Sequence, residues 1–258
     1  MTTTAVVLCG GLGSRLHPLT ESLPKSLLPI GRTTMLDLVI RGLARSGVVE
    51  IVLCAGYGAA SIAAHLRTGA ARADAHGSAF TYSCAGWECR VTVIDTGLDV
   101  ATGERLYRIR DRVGTSDLVV AYADLVADVD VVSLLAEHRR SNAQATVTVA
   151  RARSPFGHVD IDDAGRVRSL REKPLLAEWI NIGYMVLNGH VLQGLNSRSG
   201  PLEHDVLPRM AATHELRAHR HQGPFESIDT PADHRRVDSL LRGSPPPWLR
   251  RIETGCSR

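Results

Sequence analysis

Short runs rich in Val and Ile alternate along most of this chain with segments of helical periodicity, and that alternation constrains the fold more than any other feature. The runs lie at 4–9, 50–55, 90–95, 118–122, 145–150 and 179–187. They are near-continuously apolar, the pattern of strands covered on both faces. Between them, 34–46, 59–67, 104–113 and 130–140 read as helices. In the last, Val131, Leu134, Leu135 and His138 recur at helical spacing behind Asp130, a good N-cap. Gly47 stands where the first helix should stop. This order predicts an α/β fold, a three-layer αβα Rossmann-like sandwich on a mixed, mostly parallel sheet.

The second half is less regular. Residues 157–162 and 166–170 read as a hairpin closed at Gly165, and 203–213 and 231–241 read as helices. No linker interrupts 4–242, so 1–242 is expected to form one domain. The run Gly243-Ser244-Pro245-Pro246-Pro247-Trp248 marks the end of the compact body, leaving 243–258 as a C-terminal tail.

Composition narrows the partners. At 258 residues the chain buries roughly 70–75% of its unfolded surface, so it needs no disulfide or structural metal. Lys and Arg number 30 against 27 Asp and Glu, and a net charge of +3 implies no polyanionic partner. Aromatics are 4%, too few to stack the bases of a single strand, so nucleic acid is disfavoured. The five cysteines include no C-x-x-C pair, and Cys9 and Cys54 sit in apolar runs, which suits a reducing compartment. The first residues lack a basic signal-peptide region, and no apolar stretch reaches about 18 residues. A cytoplasmic protein with no membrane partner is the expectation.

The segment after the first strand, Gly10-Gly11-Leu12-Gly13-Ser14-Arg15, carries the chemistry. Its glycines let the backbone turn tightly and aim amides at an anion. Pro24-Lys25-Ser26 adds a second cation on a proline-stiffened loop. The spacing is not that of a Walker A loop, and Gly11-x-Gly13 lacks the third glycine of a dinucleotide fingerprint. A tight turn with solvated Arg15 and Lys25 remains open. A positioned cation facing transition-state charge is worth about 2.7–4 kcal/mol, whereas an exposed helix or turn amide contributes about 0.3–1 kcal/mol. A phosphate site here would therefore rely on Arg15 and Lys25 for rate and on the loop for position.

Gly-Gly-x-Gly-Ser-Arg-Leu after a first strand, followed by Pro-Lys about ten residues later, resembles the signature of sugar-1-phosphate nucleotidylyltransferases. The resemblance implies that Gly10, Gly11, Gly13 and Ser14 hold a nucleoside triphosphate, that Arg15 neutralises departing pyrophosphate, and that Lys25 bridges the phosphates. It also implies two magnesium ligands, Asp124 after the run 118–122 and Asp229 in Asp229-Thr230-Pro231; taken alone, Asp229 or Thr230 more readily reads as the cap that starts a helix at Pro231. Glu172-Lys173-Pro174, Asn181 and Gly157 match its sugar-phosphate elements.

Within that family, Asp95-Thr96-Gly97, then Thr102-Gly103-Glu104-Arg105, and Phe156-Gly157 with Asp160-Ile161 resemble glucose-1-phosphate cytidylyltransferases. That places Gly103 and Arg105 beside the base. Glu104, Ala123 and Leu125 stand where this subgroup usually has glycine, which would reshape the sugar pocket. The expected activity is nucleotidyl transfer from CTP to glucose 1-phosphate or a related hexose phosphate, with Mg2+ as cofactor. The same reaction on another nucleotide and a cyclitol phosphate, or a non-catalytic nucleotide-sensing relative, are alternatives. The resemblance further implies a homo-oligomer. His76, Cys84 and Cys89 match no zinc template, and the run His219-Arg220-His221 reads as a solvated strand end.

Overall fold

Thr4–Leu8 forms the middle strand of the sheet, with a parallel neighbour on each side. Alternate side chains therefore face opposite layers, and both sets are buried: Ala5 and Val7 on one side, Val6 and Leu8 on the other. This explains the unbroken apolar run.

The computed structural model describes residues 3–69, 72–84 and 87–253, without the side chain of Cys84. In chain order the strands are β1 (Thr4–Leu8), β2 (Pro29–Ile30), β3 (Thr33–Thr34), β4 (Glu50–Ala55), β5 (Arg72–Ala73), β6 (Ala79–Cys84), β7 (Trp87–Asp95), β8 (Leu118–Tyr122), β9 (Leu125–Ala127), β10 (Ala145–Ala150), β11 (His158–Ile161), β12 (Val167–Arg171), β13 (Ile180–Leu187), β14 (Leu216–Arg220) and β15 (Phe225–Ser227). The helices are α1 (Met35–Arg45), α2 (Ala59–Gly69), α3 (Thr102–Val113), α4 (Val131–Ser141), α5 (His190–Gln193), α6 (Leu207–Ala212), α7 (Pro231–Arg242) and α8 (Pro247–Glu253).

The nine-stranded sheet runs β14-β10-β13-β8-β1-β4-β7-β6-β5. Only β13 and β6 are reversed, so seven of the nine strands point the same way. One face packs α1, α2, α4, α7 and α8 through Leu36, Ile62, Leu134, Val237 and Leu249. The other packs α3 and the segment 190–207 through Leu106, Ile109, Leu192 and Leu207. The expected three-layer α/β sandwich is what the chain forms.

Local signals set the helix starts. Thr34 and Asp37 form a reciprocal capping box on α1, Thr230 and Asp233 do the same on α7, and Asp130 accepts from the Ser133 amide at α4. The hairpin β11–β12 forms as expected but stands outside the main sheet, with Val159, Ile161, Val167 and Leu170 exposed.

Four features depart from the sequence reading. The strands β5 and β6 extend one edge of the sheet where no element was expected. The helix expected at 203–213 opens as a π turn, Leu202–Val206, before α6. The chain beyond 242 is no loose arm as far as Glu253: α8 lies against α1, buries Trp248, Leu249 and Ile252, and receives a bond from Arg41 to the Glu253 carbonyl. Three apolar side chains at helical spacing outweigh the preceding prolines, which merely start the helix. The run 219–221 is not solvated throughout, since the His219 ring meets Glu137 and His221 is buried.

Candidate active site

The glycine loop leaves the end of β1 and enters a one-turn 3-10 helix, Ser14–Leu16. Gly13 has φ +64°, and a Cβ there would lie 2.9 Å from Cβ of Lys25. Glycine is therefore required twice, by backbone conformation and by the close approach of the lysine stem. Lys25 begins a second 3-10 turn, Lys25–Leu27, behind the extended Pro24.

Two distant acids meet this lysine. Asp124 follows β8, and Asp229 follows β15, which pairs antiparallel with β9. The ladder ends with the Ile228 amide donating to the Asp124 carbonyl at 3.0 Å. Lys25 Nζ donates to Asp124 Oδ2 at 2.7 Å and to Asp229 Oδ1 at 3.0 Å. Arg15 Nη2 lies 3.0 Å from the same Asp229 oxygen. Lys25 is the shielded member at 16% side-chain exposure, while Arg15 stands open at 76%. The helix cap is Thr230, paired with Asp233, and the Asp229 carboxylate turns instead to Lys25 and Arg15.

These groups line one cavity of about 290 Å³, together with Gly10, Gly11, Gly13 and Ser14. Arg105 borders it but turns inward. At 4% exposure its guanidinium donates to the carbonyls of Gly10, Ala55, Gly97 and Leu98 and to the Thr96 hydroxyl. A Cβ on Gly10 would lie 2.2 Å from Arg105 Nη1, so the loop rests directly on the guanidinium. Burial lowers the Arg105 pKa below the usual arginine value and pushes the neighbouring Cys9 thiol up to about 12. Gly103 bonds to the Gly200 carbonyl at 3.0 Å and does not line the cavity. Glu104 pairs with Arg108.

The four residues expected on the sugar side, Gly157, Glu172, Lys173 and Asn181, are all exposed. Gly157 lies beside the Glu172 carboxylate, the Lys173 carbonyl accepts a long bond from Arg153, and the Asn181 side-chain oxygen accepts from the Gly183 amide at 3.0 Å. None of the four lines the cavity.

Residues 4–223 match the nucleotidyl transferase family. The chain belongs to it. Glucose-1-phosphate cytidylyltransferase of Salmonella typhi is 31% identical over 258 aligned residues, covering 95% of this chain and 98% of the relative. Mannose-1-phosphate guanylyltransferase of Mycobacterium tuberculosis is 27% identical, covering 95% of this chain and 67% of that one. Among solved structures, HddC from Yersinia pseudotuberculosis superposes with a TM-score of 0.69 at 20% identity, over 93% of this chain and 100% of its own, a likeness of fold.

For a nucleotidyl transferase, the donor set suits a hard divalent cation. Asp124 Oδ2 and Asp229 Oδ1 converge on a single point, that of Lys25 Nζ, and Mg2+ accepts carboxylate oxygens while keeping several waters. No group of three or more His, Cys, Asp or Glu gathers at one place among the described residues, so phosphate and water would complete the shell. The sequence reading missed Val100, Thr102 and Tyr122, which also line the cavity. Tyr122 ends an apolar strand as Asp124 nearly does, and its hydroxyl bonds to Glu203. The weighed cluster of His76, Cys84 and Cys89 includes a side chain outside the described residues.

Proposed function

We propose that this nucleotidyl transferase moves a nucleotidyl group from CTP to glucose 1-phosphate or a related hexose 1-phosphate, releasing pyrophosphate. The observation that carries the reading is the convergence of Lys25, Arg15, Asp124 and Asp229 at the mouth of the glycine loop. Two cations from neighbouring turns meet two carboxylates from far along the chain at one point. A metal-bound triphosphate gives them a common purpose.

In this reading a phosphate oxygen of the sugar 1-phosphate attacks the α-phosphorus in line. The bond to the bridging oxygen breaks, and that oxygen leaves with pyrophosphate. Lys25, the shielded cation, holds the phosphates near the reacting phosphorus; Arg15, at the open side, meets the leaving pyrophosphate. Asp124 and Asp229 would hold Mg2+, which when bound offsets negative charge on the phosphates. Gly157, Glu172, Lys173 and Asn181 are assigned to the acceptor, and the segment of Gly103 and Arg105 to the base side. For Arg105 the contribution runs through the backbone it holds.

The choice of CTP rests on the relative that is 31% identical across nearly the full length of both chains. Assaying each common nucleoside triphosphate against several sugar 1-phosphates, read by pyrophosphate release, tests it. Release with CTP and a hexose 1-phosphate is expected. Release with another triphosphate alone would reassign the base, and no release from any pair would overturn the reading.

A further inference from the structure

Lys25 stands where a divalent ion would have to sit. Its ammonium lies 2.7 Å from Asp124 Oδ2 and 3.0 Å from Asp229 Oδ1. A magnesium ion takes such oxygens at about 2.0–2.1 Å, and the ammonium occupies the point on which these two converge, so an ion placed there must displace it. We propose that Lys25 is a built-in competitor for the metal, so that the ion binds this site weakly until a triphosphate draws the lysine away. The inference rests on the nucleotidyl-transfer reading and concerns the order in which its ligands bind.

Charge and geometry both support it. Lys25 and Arg15 balance the two carboxylates, so a free divalent ion meets a neutral group of four rather than two bare acids. The lysine is the least solvated of the four, which strengthens its hold. Its stem packs at Gly13 while its head sits on flexible methylenes, so the ammonium can swing onto a phosphate without disturbing the loop. A triphosphate attracts both cations, frees both acids and supplies oxygens to the metal. By linkage, metal and nucleotide must then raise each other's affinity by the same factor.

The test is Mn2+ binding to nucleotide-free protein, followed by the paramagnetic resonance of unbound Mn2+. Lys25→Met should bind Mn2+ about tenfold more tightly than the unaltered chain, within the coupling typical of interacting sites. Lys25→Gln carries the same expectation should the first variant fold poorly. Arg15→Met, which removes an exposed pair, should gain only about two- to threefold. Adding Asp124→Asn to Lys25→Met should remove the gained binding. Equal affinity in the unaltered chain and both lysine variants, lost in each with Asp124→Asn, would overturn the competition while leaving the functional reading intact. Binding that survives Asp124→Asn would put the metal elsewhere and overturn both.

Discussion

The amide of Ile228 donates to the carbonyl of Asp124 at 3.0 Å, and this bond closes the ladder that sets two carboxylates far apart in sequence side by side. Asp124→Asn and Asp229→Asn should each lower Mg2+-dependent pyrophosphate release at least about 100-fold with an unchanged melting temperature. Metal dependence like that of the unaltered chain would remove the acids from the metal site.

Lys25 is the shielded cation of the site, so its loss should be felt in turnover more than in binding. Lys25→Ala should lower kcat by about 10²–10³-fold, with a smaller change in KM. Steady-state kinetics on the preferred substrate pair decide this, and full activity would reject the role.

Gly13→Ala places a methyl group at φ +64° and against the stem of Lys25. The backbone conformation alone costs about 1–2 kcal/mol. Chemical denaturation should show that loss, and turnover should fall further than stability explains, because the lysine must shift. Unchanged kinetics would mean that the close approach does not position Lys25.

Arg105 holds five oxygens around one buried guanidinium. Arg105→Met leaves those groups without their partner and should cost at least about 3 kcal/mol, a fall in Tm of about 10 °C for a chain of this size. Arg105→Lys, with three donors in a different geometry, should recover only a fraction of it. A direct base contact would instead raise the KM for nucleotide while leaving Tm unchanged.

Acid should destabilise the protein in two separate windows. Burial holds the pKa values of His138 and His221 below the unfolded imidazole value of 6.5. Between those folded values and 6.5 the unfolded chain binds more protons, so this contribution is complete above 6.5 and is lost as pH falls through the window. Hydrogen bonds from Ser133 to Asp130 and an ion pair from Arg242 to Asp238 keep those carboxyls below the unfolded value of 3.8. Their contribution is present above 3.8 and lost as pH drops beneath it. Urea denaturation from about pH 7.5 to 5.5 should show declining stability; a rise would contradict the buried-histidine account.

Much of the fold was legible because it obeys local rules. The bounds of β4, β8 and β10 coincide with their apolar runs, since strands buried on both faces carry few polar residues. The helices α1, α4 and α7 begin where their caps stand. By contrast, β9 and β15 are three residues each and gain their meaning only by pairing across the chain, which no local pattern reveals. At the site, Lys25, Asp124 and Asp229 were found through a motif, but their mutual contact depends on that long-range pairing. For Arg105 a motif names the position, but the inward turn of its side chain onto five oxygens depends on segments the motif does not contain. The helix α8 was missed because its prolines read as an ending.

The ribbon of β9 and β15 is only three rungs long and lies apart from the nine-stranded sheet. Val126, Ala127 and Ile228 sink this ribbon into the same core that packs α1, α7 and α8. The spacing of the jaws is therefore set by the packing beneath them, and a cavity cut under Val126 or Ile228 should be felt at the carboxylates above.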